Sequence, residues 1–153
     1  MISPDAQGHN KANRDFLSGG EGKVKTTTLI LGCGDIGMAL GHELREAGHR
    51  VIGARRNPHA LDGSGLEAVA ADLNDPATLA GLPDADILVY VVSADRFDEA
   101  AYRAAYLDGL TAVLAEFTGR DKVPGRVFFV SSTSVYAQRD GEVGDETSPV
   151  EPA

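Results

Sequence analysis

Three glycines spaced Gly32-x-Gly34-x-x-Gly37 stand between a β-branched apolar run and a helical pattern, and no other stretch restricts the fold of this chain as tightly. Residues 26–31, Thr-Thr-Thr-Leu-Ile-Leu, predict a strand buried on both faces. Apolar residues at Ile36, Ala39, Leu40, Leu44 and Ala47 follow at helical spacing, and Gly48 is placed to stop that helix. In a strand–turn–helix setting each glycine has its own task. Gly32 permits the tight turn, Gly34 lets backbone approach a pyrophosphate, and Gly37 lets the helix pack closely on the sheet. The helix start at Asp35 and Ile36 offers free N–H groups and the positive end of the helix dipole. This spacing in this context predicts dinucleotide binding. A tight turn without a ligand is the plain alternative.

The rest of the chain repeats the alternation. Val51-Ile52, residues 66–71, residues 87–92 and residues 126–131 predict further strands. Asn74-Asp75-Pro76 opens a short helix to Ala80, and residues 97–117 predict a long one. Strands alternating with helices imply βαβ units, hence an α/β fold with a doubly wound parallel sheet in the order 3-2-1-4-5. A single crevice is expected at the carboxyl edge between strands one and four. Residues 1–24 are polar, contain Ser18-Gly19-Gly20-Glu21-Gly22 and read as a flexible leader. Residues 25–153 form the domain, and from Gln138 onward the pattern dissolves into a loop.

Composition removes several function classes. The chain carries 14 Lys and Arg against 23 Asp and Glu, a net charge of −9, which argues against nucleic acid as a partner. Its longest apolar run, Ile87 to Val92, is far below the roughly 20 residues a membrane span needs. The single Cys33 excludes an intramolecular disulfide, and nothing at the N-terminus resembles a secretory signal, so a cytoplasmic location is expected. His9, His42, His49 and His59 are scattered without ligand spacing, so no metal is expected. Cys33 sits near a helix start, where a thiol pKa can fall, but no base is identifiable beside it.

Three more groups carry chemistry. Arg55-Arg56 ends the second strand, where an NAD site usually has an acid and an arginine accommodates the 2′-phosphate of NADP. NADP is therefore expected over NAD, with a solvated basic loop as the alternative. Asp72 follows the third strand, either as an adenine contact or simply as the start of a loop. Ser131-Ser132-Thr133-Ser134-Val135-Tyr136 ends the fifth strand and brings hydroxyls to the crevice, either for a substrate oxygen or for the turn's own backbone.

Together these motifs resemble the short-chain dehydrogenase/reductase superfamily, on the side of the NAD-dependent epimerase/dehydratases. Ser131 to Tyr136, followed by Gly141, Asp145-Glu146, Pro149 and Pro152, looks like that group's SSxxVYG…DExxPxxP segment. The resemblance spans about residues 27–152 and implies a Rossmann-type domain. By it, Ser132 matches the catalytic Ser/Thr, Asp72 the adenine-contacting acid, and Tyr136 is not the catalytic tyrosine. The glycine loop departs from the usual TGxxGxxG, Tyr106 stands where extended members carry an Asn, and no YxxxK pair occurs in these residues. The expectation is the N-terminal cofactor-binding part of an NAD(P)-dependent oxidoreductase, epimerase or dehydratase, C-terminally truncated. Its substrate would be a sugar nucleotide or a similar hydroxyl or carbonyl compound. A non-catalytic NAD(P)-binding module, a redox sensor or an inactive fragment are the alternatives, and association into a homo-oligomer is left open.

Overall fold

The computed structural model describes residues 25–131, 136–138 and 141–150. The expected leader and Ser132 lie outside the described residues. Strand β1 (Thr27–Leu31) alternates Leu29 and Leu31 to one face with Ile30 to the other, all fully buried. It pairs in parallel with β2 (Arg50–Arg55) on one side and β4 (Ile87–Tyr90) on the other. β3 (Glu67–Ala70) and β5 (Arg126–Phe129) complete the sheet in the expected order, β3-β2-β1-β4-β5, with every pairing parallel. Between strands lie α1 (Asp35–Glu46), α2 (Pro76–Leu79) and a continuous helical rod made of α3 (Glu99–Arg103), a π-turn (Ala104–Asp108) and α4 (Gly109–Gly119).

Both faces of the central strands are covered, which is why they read as apolar runs. Leu29, Leu31, Ile52, Leu88 and Tyr90 cluster with Leu79, Val113 and Phe117. Ile30, Val51, Ile87 and Val89 cluster on the opposite face with Leu44 and Leu61. Among the described residues no helix is long and apolar enough to cross a membrane.

Several expectations need correction. The stripe predicted for α1 included Ile36 and Ala39, but the buried positions are Gly37, Gly41 and Leu44. The helix lies so near the sheet that glycines occupy the contact line, and Ile36 turns outward at 67% exposure. Phe97 does not open the long helix. The Asp98 carboxylate accepts a 2.8 Å bond from the Ala101 N–H and caps α3, leaving Phe97 almost wholly exposed. The rod is also not a uniform α-helix. The buried Tyr90 hydroxyl donates to the Ala105 carbonyl, and the Gly109 N–H reaches back five residues to Ala104. The hydroxyl bond and the i to i+5 bond fall in the same turn, which is π-helical. β5 ends at Phe129, although the Val130 N–H still bonds the Tyr90 carbonyl at 2.9 Å. In the tail, expected as a plain loop, Tyr136 and Val150 form an antiparallel bridge.

Candidate functional site

The carboxyl ends of β1 and β4 diverge at the point where strand order reverses, and a cleft of about 960 Å³ opens there. That is the upper end of the range for ligand pockets, roughly 300–1,000 Å³. Its floor is the turn between β1 and α1. Gly32 has φ +75°, and a Cβ on it would sit 2.8 Å from the Val92 Cα and 2.9 Å from the Val91 carbonyl oxygen. Only glycine satisfies both the dihedral and the crowding. The turn is pinned to β2, since the Gly32 and Cys33 N–H groups both donate to the Ala54 carbonyl, at 3.0 and 3.2 Å.

Gly34 behaves oppositely. A Cβ there would meet nothing closer than 3.8 Å, so its missing side chain leaves open floor rather than relieving a clash. It is also the N-cap of α1, which therefore has no side-chain cap bond. The first-turn N–H groups of Asp35, Ile36 and Gly37 lie ahead of the first helical bond, Met38 to Gly34 at 2.7 Å, and those residues line the cleft. A Cβ on Gly37 would press to 3.0 Å from Ile30 Cγ2, so this glycine sets how near α1 sits to the sheet. A bare N-terminus over an open floor fits a pyrophosphate, which needs close backbone approach and donors without a competing cap.

Around this floor the fold gathers every described candidate residue: Gly32, Gly34, Asp35, Ile36, Gly37, Arg55, Arg56 and Asp72 all line the one cleft. Ser132 lies outside the described residues, but Ser131 before it lines the same cleft. Asp72 is held in place from two directions. Its N–H donates to the Thr78 hydroxyl at 3.0 Å, and its carboxylate accepts from the Asn74 N–H at 3.0 Å. The reactive reading of Cys33 does not hold. The thiol is fully buried, and burial pushes its pKa up against a smaller downward pull from Arg55.

The arginines are committed in ways no motif indicates. Arg55 donates to the Cys33 carbonyl at 3.3 Å and so braces the turn. Arg56 forms a bidentate pair with Asp95, at 2.7 and 2.8 Å, across the mouth of the cleft. That hydrogen-bonded pair holds the Asp95 carboxyl below the usual carboxylate range, and Asp72 adds to the field on Arg56. Arg96, also on the lining, bonds Asp98 at 2.9 Å. Arg55, Arg56 and Arg96 thus face Asp35, Asp72 and Asp95 around one cleft. Asp95, Arg96 and Tyr106 were not identified as cleft residues from the sequence. Tyr106 reaches the lining from the π-turn and meets Phe129 edge-on at 6.1 Å between ring centroids.

Comparison with known proteins agrees with this geometry. The NAD dependent epimerase/dehydratase family profile matches residues 28–153. Among solved structures, a protein provisionally described as an NAD-dependent epimerase/dehydratase from Methylobacillus flagellatus is 36% identical with a TM-score of 0.67. The match covers 83% of this chain and 44% of that one. UDP-glucose 4-epimerase from Brucella ovis, solved in complex with NAD, shares the fold at TM-score 0.70 and 18% identity, over 84% of this chain and 42% of its own. No curated protein matches. The sheet order and the cleft at its switch point are those of a Rossmann-type domain, and the family match supports a nicotinamide dinucleotide as its cofactor. The chain belongs to the NAD-dependent epimerase/dehydratase family, and it spans under half the length of these two solved relatives.

Proposed function

We propose that this chain is the cofactor-binding part of an NADP-preferring epimerase, dehydratase or oxidoreductase acting on a sugar nucleotide or a similar hydroxyl or carbonyl compound. The observation that carries the reading is the glycine floor: Gly32 forced by crowding, Gly34 left open, and an uncapped α1 N-terminus above it. The N–H groups of Asp35, Ile36 and Gly37 bind the pyrophosphate, with the helix dipole favouring its negative charge. Asp72, fixed by Thr78 and Asn74, accepts from the adenine amino group. Arg55 and Arg56 stand at the end of β2, where they hold the 2′-phosphate that separates NADP from NAD. When bound, the nicotinamide supplies hydride exchange with a substrate carbon. Ser132 orients the substrate oxygen through its hydroxyl. A serine alone is a poor acid or base near neutral pH, so the proton needs a second group as its partner.

Support for the sugar-nucleotide class comes from the epimerases that share the fold, UDP-glucose 4-epimerase from Brucella ovis among them. Calorimetric titration of the chain with NADP and NAD is the first test. Binding of both with NADP tighter is the expected result, and equal affinities would defeat the preference. For Ser132, turnover of NADP(H) with a panel of sugar nucleotides is measured on the chain and on any longer form of the protein that contains it. Ser132→Ala should lower kcat in whichever form turns over, and unchanged kcat would remove it from the mechanism.

A further inference from the structure

The bidentate pair between Arg56 and Asp95 joins opposite walls of the cleft. Arg56 follows β2, Asp95 lies in the loop between β4 and α3, and 39 residues separate them. Both side chains are 61% exposed. An ion pair that open to water adds little to stability, so stabilising the fold does not account for it. Its geometry, however, is specific. A guanidinium presents a planar fork of N–H donors that matches a carboxylate or a phosphate, and both terminal nitrogens of Arg56 are turned onto Asp95.

We propose that Asp95 is a specificity-determining residue that occupies, on Arg56, the position a ribose 2′-phosphate would take. The proposal rests on the dinucleotide reading of the cleft. A cofactor ending in a 2′-hydroxyl leaves the pair intact. A cofactor carrying the 2′-phosphate turns the Arg56 fork away from Asp95, and the released carboxylate then stands as a like charge beside the phosphate. Asp72 at the end of β3 adds a second negative charge to the same neighbourhood, while Arg55 has one terminal nitrogen on the Cys33 carbonyl and Arg96 is bonded to Asp98. Asp95 therefore holds the NADP preference below what two adjacent arginines would otherwise give.

The test is a double-mutant cycle read by calorimetry on the full chain, with NADP and NAD as probes and adenosine 2′,5′-bisphosphate against 5′-AMP for the adenosine end alone. Asp95→Asn preserves shape at an exposed site and removes the charge. It should tighten NADP and the bisphosphate about fivefold, the value of one exposed ion pair, and change NAD and 5′-AMP less than about twofold. In an Arg56→Ala background the competition for the guanidinium is gone and only the like-charge repulsion remains, so the same substitution should discriminate less between them. Equal effects on both cofactors, weaker NADP binding in Asp95→Asn, or an undiminished effect without Arg56 would overturn the proposal. Failure of the parent chain to bind either dinucleotide would overturn the cofactor reading, and this proposal with it.

Discussion

Replacing Gly32 and Gly34 separately by alanine separates the two tasks of the turn. At Gly32 an added Cβ meets backbone atoms of Val91 and Val92 at 2.8–2.9 Å, and a φ of +75° is unfavourable for an L-residue. The dihedral costs about 1–2 kcal/mol. Forcing a methyl into packed surroundings costs roughly 1–3 kcal/mol more, because the neighbours include backbone that cannot rotate away. A loss of about 3 kcal/mol follows, which for a chain of this size lowers Tm by roughly 10 °C. At Gly34 the backbone already lies at φ −93°, and nothing stands within 3.8 Å of the new methyl, so stability should stay within about 0.5 kcal/mol. That methyl would stand on the floor of the cleft. By holding a phosphate off one backbone donor it would remove a charge-assisted bond and weaken NADP roughly 10- to 100-fold. Differential scanning calorimetry and calorimetric titration of both variants read the two effects independently. A Gly32→Ala protein melting with the parent would refute the crowding argument. A Gly34→Ala protein with full affinity would refute the assignment of the floor to phosphate.

Replacing Arg55 and Arg56 together by alanine should weaken NADP about tenfold more than NAD, and titrations showing equal losses would remove the 2′-phosphate role. Tyr90→Phe should cost about 1 kcal/mol by leaving the Ala105 carbonyl without its hydroxyl donor, visible as a lowered urea midpoint. Burial, and to a lesser degree Tyr106, pushes the Tyr90 pKa from its ordinary 10.0 up to about 12. The folded state therefore keeps the proton that the unfolded state releases, and this contribution is full below pH 10 and lost as pH rises towards 12. The Tm difference between parent and Tyr90→Phe should shrink across that window, and a constant difference would count against the buried phenol. Cys33 should react with a thiol reagent only after denaturation, because its sulfur is fully buried, and rapid labelling of the native protein would contradict the packing of the turn.

The amino-acid sequence by itself determined the sheet and the glycine turn at its edge. Apolar runs such as Leu29-Ile30-Leu31 and Ile87 to Tyr90 declare strands buried on two faces, and their alternation with helices leaves few parallel topologies. The order β3-β2-β1-β4-β5 follows, and it brings Gly32, Arg55, Asp72 and Ser131 to one edge from distant parts of the chain. Helix faces were less legible. Periodicity marks which residues are apolar, not how near a helix sits, so Ile36 looked internal when the contact line belongs to Gly37 and Gly41. Only the tertiary structure decided what the polar side chains do. Cys33 is buried with its thiol pKa raised, Tyr90 bonds the Ala105 carbonyl within a π-turn, and Asp95 meets Arg56 across 39 residues. Periodicity and spacing are local and survive in one dimension. Hydrogen bonds, burial and charge pairing depend on neighbours distant in the chain, and those exist only once the strands have been laid side by side.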